Sequence, residues 1–170
     1  MKTKGTIIIL ILALIGTTVA FARKSSRKKR SHHTSTAAVQ GISSVTLRRG
    51  ACFGRCPEYA ITIKNDGSAE YRGFRNADPM GVYQKNIGVQ AAQDLIKEFT
   101  DMRVDTCSAV YFSRIADMPG LNFSFILNGK EQKVENAQFG PLYFITLGDE
   151  MDRLGKPDAN WKKISNDAVN

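Results

Sequence analysis

Two stretches of alternating hydrophobicity, each closed by a glycine turn, constrain this chain more than anything else in it. Tyr59, Ile61 and Ile63 alternate with Ala60, Thr62 and Lys64, and Asn65-Asp66-Gly67 turns the chain so that Ala69 and Tyr71 return beside them. Leu121, Phe123, Phe125 and Leu127 repeat the pattern, Asn128-Gly129 turns it, and residues 131–137 return. A period of two puts one set of side chains on one face of a strand. Glycine at the turns supplies the positive φ that tight hairpins need. Both stretches therefore read as antiparallel hairpins with one apolar face.

The rest of the folded part fits around them. Val45 and Leu47 alternate with Thr46 and Arg48 as a strand before the first hairpin, and residues 82–87 read as a fourth strand after it. Over 89–102, Val89, Ala92, Leu95, Ile96, Phe99 and Met102 recur at helical spacing on one face. Pro141 opens a second helix, where a missing N–H costs nothing. Leu142, Ile145, Gly148, Met151 and Leu154 line its inner face, Gly155 stops it, and Trp161 packs back on the domain. The order is ββββαββα. Strands with one apolar face need one cover, so the expected fold is α+β: an antiparallel sheet of about six strands with two helices packed on one face.

Between the first two strands lies Ala51-Cys-Phe-Gly-Arg-Cys-Pro-Glu-Tyr59. In an extended strand the Cα atoms of Cys52 and Cys56 would stand roughly 13 Å apart, against the 4.4–6.8 Å of a disulfide. Bridging needs the chain to fold back, which Gly54 permits before Pro57 fixes the exit. A structural disulfide is the reading taken forward. Two free thiols in a tight turn, or a redox-active or metal-binding pair, are the alternatives. Zinc would need two more ligands, with Cys107 the only other cysteine.

The motif Cys52-Phe-Gly-x-Cys56-Pro-x-Tyr59, followed by Ile61-Thr-Ile63, Asp66-Gly67 and Tyr71-Arg-Gly73, resembles a family of bacterial exported domains classed as of unknown function. The similarity runs from about Val45 to Trp161, with Asp117-x-Pro119, Asn128-Gly129 and Trp161-Lys-Lys as later marks. Where members often carry Thr-Asp-Leu-Pro, this chain has Ala116-Asp117-Met118-Pro119, and Cys107 lies outside the pattern. The resemblance implies a fold and an envelope setting, and no activity.

The net charge of +8 over 170 residues looks at first like a nucleic-acid signal. Its distribution excludes that. Residues 1–41 hold eight Lys or Arg and no acid, while 42–170 hold sixteen of each sign. The folded part is neutral and lacks the basic footprint of a nucleic-acid binder. Residues 1–22 have two lysines, an apolar run and a closing Ala20-Phe-Ala22. This pattern reads as a signal peptide cleaved near Ala22 or, alternatively, as an uncleaved membrane anchor. Residues 23–41 read as a basic, Ser/His/Thr-rich disordered linker. Its Arg23, Lys24, Arg27, Lys28, Lys29 and Arg30 suit contact with anionic head groups. By the positive-inside rule these six charges oppose export. A periplasmic or secreted location is retained because a disulfide needs an oxidising compartment and the resemblance points the same way. Residues 42–163 form the single α+β domain and 164–170 a tail.

An enzyme is the weakest functional reading. The folded part has no histidine, no Gly-x-Ser-x-Gly, no P-loop and no dinucleotide fingerprint. Cys107 as a nucleophile would lack a histidine partner. His32 and His33 sit in the linker and are not read as a metal site; no cofactor or metal is expected. The leading reading is a small non-catalytic binding domain of the cell envelope, with a protein, peptide or polymer partner. A redox-responsive protein using Cys52 and Cys56 is the alternative. Long unstructured loops are often functional, so the binding surface is sought in the irregular segment 103–120, at Tyr111, Phe112, Arg114 and Asp117. The competing structural role is that Tyr111 and Phe112 close the open edge of the core.

Overall fold

A computed structural model describes residues 41–115 and 117–168. The leader at 1–22 and the basic cluster of Arg23, Lys24, Arg27, Lys28, Lys29 and Arg30 lie outside the described residues. The elements are β1 Ile42–Arg49, β2 Tyr59–Lys64, β3 Ser68–Gly73, β4 Gly81–Asn86, α1 Val89–Asp101, β5 Leu121–Leu127, β6 Lys130–Val134, α2 Tyr143–Gly155 and β7 Lys162–Ser165. The strands form one sheet, ordered β6-β5-β1-β2-β3-β4-β7, with every neighbouring pair antiparallel.

The α+β architecture matches the expectation, with seven strands in place of about six. The added strand, β7, reaches Ser165, inside the stretch read as a tail. Lys162-Lys-Ile-Ser165 has no buried apolar face to reveal it. It is held by its ladder to β4, pairing Tyr83 with Lys163 and Gln84 with Lys162, and by Trp161, which is buried just before it.

One face of the sheet is apolar. Val45, Leu47, Ile61, Ile63, Tyr71, Phe123 and Phe125 all point to it and are almost fully buried. Phe123 touches Phe99 of α1 at 5.6 Å between ring centres and Phe144 of α2 at 5.5 Å, so both helices cover this face. In α1 the buried stripe is Ala92, Leu95, Ile96 and Phe99. Val89 and Met102, expected on it, are exposed: Val89 is the first residue of the helix and Met102 caps it just past its last.

The inner face of α2 also differs from the expectation. Leu142 precedes the helix and is exposed, and Ile145 is partly exposed. The buried stripe is Phe144, Leu147, Gly148, Met151 and Gly155. Two glycines let this helix settle close to the sheet. A Cβ on Gly155 would lie 2.2 Å from Ile61 Cγ2, and one on Gly148 would lie 3.2 Å from Leu121 Cδ1.

The ladders fix which loops share an end. Arg49 pairs with both Tyr59 and Leu121, Tyr59 pairs with Gly73, and Gly73 pairs with Gly81. Residues 50–58, 74–80 and the segment entering β5 therefore open at one end of the sheet. Gly41, Asn65–Gly67 and Asn128–Gly129 lie at the other.

Candidate functional site

The first loop at the crowded end is the cysteine loop. Cys52 and Cys56 form a disulfide with Cα atoms 5.6 Å apart, and Gly54 N–H donates to Cys52 O at 2.8 Å. Its roots are tied to neighbours. Gly50 N–H donates to Gly120 O, Phe74 N–H to Glu58 O, and Glu58 N–H to Arg75 O, each at 2.8 Å. Glu58 also accepts from Arg75 Nε at 2.6 Å. The tip is left outside: Phe53 is 92% exposed, and Arg55 is exposed beside it.

The second loop is the irregular segment. A 3-10 turn at Val104–Thr106 buries Val104. Val110 then runs parallel to the end of β6, where Tyr111 N–H donates to Glu135 O at 3.0 Å and Glu135 N–H to Ala109 O at 2.8 Å. The four residues expected to share a surface are divided by this bridge. Tyr111 turns inward and meets Phe144 at 6.1 Å between ring centres. A side chain on Gly140 would strike the Tyr111 ring at 2.8 Å. Phe112 turns outward and is 88% exposed, so it does not join Tyr111 in closing the core. Arg114 and Asp117 are exposed as well.

The third contribution is the approach to α2. Leu121 N–H donates to Gln138 Oε1 at 2.9 Å, which ties this segment to the start of β5. Leu142 beyond it is 84% exposed. With Ile115 and Met118 on the irregular segment and Met80 on the 74–80 loop, exposed large apolar side chains gather on the loops of this one end. Sequence reading singled out Phe112 but not Phe53, Met80 or Leu142. A large apolar residue in a polar turn was the available signal, and for Leu142 the helical spacing concealed it.

Beneath the loops a polar cluster fastens α2 to the sheet. The buried Tyr59 donates its phenol proton to Asp152 Oδ1 at 2.8 Å. Arg49 Nη2 bonds Asp152 Oδ2 at 3.0 Å and Asp149 Oδ1 at 3.1 Å. Burial, then the bond to Asp152, pushes the Tyr59 phenol well above its usual range. Every group here is satisfied by a partner within the fold, so the cluster reads as structure.

Cys107 is half-buried with its sulfur 2.7 Å from Tyr143 Oη. Burial and this contact raise the Tyr143 phenol. Among the described residues no group of three or more His, Cys, Asp or Glu could hold a metal ion, and no helix is long and apolar enough to cross a membrane.

The solvent face of the sheet is polar. Thr46 Oγ1 and Thr62 Oγ1 meet across strands at 2.9 Å. Two shallow grooves lie on this face, of about 510 Å³ beside Thr62, Glu70 and Gln84 and about 430 Å³ beside Arg48, Ser124 and Lys133. Binding energy concentrates on large anchoring side chains, which the loop end presents in greater number.

The family model of a domain of unknown function (DUF6438) matches residues 43–155. The matched stretch begins in β1 and ends with α2, so it contains the cysteine loop and the irregular segment and leaves β7 outside. The chain matches no curated protein and no solved structure.

Proposed function

The chain belongs to the DUF6438 family of domains of unknown function, and from its own surface we propose that it is a small non-catalytic binding domain of the bacterial cell envelope. The observation that carries this reading is the gathering of the three most exposed large apolar side chains, Phe53, Phe112 and Leu142, on loops at one end of the sheet, with Met80, Ile115 and Met118 on loops of the same end. Large apolar side chains exposed together at one end of a fold, rather than scattered singly, mark interaction sites. The loops that present it are fastened at their roots, so the surface is pre-organised and loses little entropy on binding. Export is supported by the leader-like N-terminus and by the Cys52–Cys56 bridge, which suits an oxidising compartment.

Photo-crosslinking residues placed at 53, 112 and 142 of the full chain in cells test the reading, with positions 64 and 97 as controls. Discrete adducts, of protein or of lipid, are expected from the first three positions alone. Equal adduct patterns from all five would sink it. A second reading rests on the same bridge. If Cys52–Cys56 acts as a redox switch, mild thiol reductant opens it in the native protein and abolishes the adducts at 53. A bridge that resists such treatment removes that alternative.

A further inference from the structure

Eight arginines lie in the described domain, and their partners separate them. Arg49, Arg72, Arg75, Arg103 and Arg153 each hold a carboxylate. Arg48 lies over the Phe74 ring at 4.7 Å. Arg55 and Arg114 form no ion pair among the described residues, and both are exposed. Each stands two residues after one of the most exposed phenylalanines, in Phe53-Gly-Arg55 and Phe112-Ser-Arg114. Two separate loops thus bring the same short pattern, an outward ring followed by a free guanidinium, to the same end of the sheet.

We infer that this end docks on an anionic phospholipid surface, with Phe53 and Phe112 entering the interface and Arg55 and Arg114 reaching the phosphates. The inference rests on the reading of the loop end as the binding surface, and names its partner. Phenylalanine rings bury at the boundary between head groups and acyl chains, and an arginine can lay its apolar stem along that boundary while its head stays with the phosphates. The two phenylalanines stand on different loops and are each almost wholly exposed. A fluid interface accepts such separate projections independently, whereas a rigid protein partner would need a pocket for each. Within 51–57 Arg55 is the one charged residue, and within 112–118 Asp117 accompanies Arg114. Glu58 at the loop root is already paired with Arg75. Arg55 and Arg114 are thus the cations beside the two rings that an anionic surface would meet, with Asp117 and Asp78 the exposed acids of the same end.

The test uses the full chain with vesicles of phosphatidylglycerol and phosphatidylethanolamine whose acyl chains carry bromine, which quenches tryptophan on contact. Phe53→Trp and Phe112→Trp report from the tips, and Lys64→Trp reports from the opposite end. A cooperative melt and unchanged Trp161 emission check each fold. Emission from the two tip tryptophans should be largely lost, at a depth of about 5–10 Å below the head groups, while Lys64→Trp keeps its emission. Adding Arg55→Glu and Arg114→Glu to the Phe112→Trp chain should restore that signal. Unquenched tips, equal quenching at all three positions, or quenching indifferent to charge reversal would each overturn the assignment. If the tips stay unquenched while crosslinkers at 53 and 112 capture a protein, the lipid surface is wrong and the binding role stands. Failure of both experiments removes both.

Discussion

Tyr59 shows how much a single side chain contributes here beyond its face on a strand. Its ring is buried in the core and its phenol reaches Asp152 on α2. A hydrogen bond to a charged group contributes about 1.5–3 kcal/mol. Because Asp152 is also served by Arg49, Tyr59→Phe should cost less, about 1–2 kcal/mol, measured as a shift in the urea midpoint at unchanged slope. The phenols also predict a pH dependence. Burial pushes Tyr71 up to about 12, and burial with Asp152 pushes Tyr59 up too. The unfolded chain loses these protons near pH 10. A folded-state pKa above the unfolded one gives stability that is full below about pH 10 and is lost as pH rises from there towards the folded value. The urea midpoint should therefore be level across neutral pH and fall above about pH 10, less steeply in Tyr59→Phe. A midpoint unchanged at high pH would contradict this. Alternation made the inward face of Tyr59 legible; its carboxylate partner was not, because periodicity reports faces and not distant pairings. Tyr111 and Phe112 were inseparable for a related reason. Neighbours in an irregular segment have no period, and the bridge from Val110 to Glu135 decides which one turns in.

Among the elements, the strands and helices that alternation or helical spacing marked are all present. The misses are elements held by backbone or by close approach. β7 has no apolar stripe and depends on β4 for its ladder. Deleting residues 162–170 should leave β4 as an open edge, and such edges pair with other chains. Concentration-dependent dimers or larger species in sedimentation are expected, and a strictly monomeric truncated chain would count against a protective role for β7. In α2, the shifted stripe follows from glycines that the sequence offered only as stop signals or fillers. Gly155→Ala sets two effects against each other. Alanine favours a helix over glycine by up to about 1 kcal/mol. Its methyl would meet Ile61 at a distance no carbon tolerates, and overpacking a core costs about 1–3 kcal/mol. The clash should win, with net destabilisation of about 1–2 kcal/mol, and Ile61→Val in the same chain should recover part of it.

For the molecule as a whole, the disulfide is a local device. The chain-entropy treatment of so short a loop gives roughly 2 kcal/mol, against a usual domain stability of about 5–15 kcal/mol. Cys52→Ser with Cys56→Ser should therefore melt earlier yet keep its cooperative transition and its strand signal in circular dichroism. A chain unfolded at room temperature would show that the bridge holds the whole fold. The position of β1 has another consequence. The first strand made is the middle of the finished sheet, flanked by β2 and β5. Residues from β1 to β4 can zip together as neighbours in sequence, but Leu121, the partner of Arg49, arrives only after α1 and the whole irregular segment. Closing so long a loop is slow compared with hairpin formation. The strand order predicts that in a refolding chain the β1–β4 pairings gain protection in pulse-labelled hydrogen exchange before β5 reaches β1 and Phe123 comes to sit beside Leu47. Simultaneous protection of all the strands would contradict this order, in which the β5–β6 hairpin is the late arrival that closes the meander.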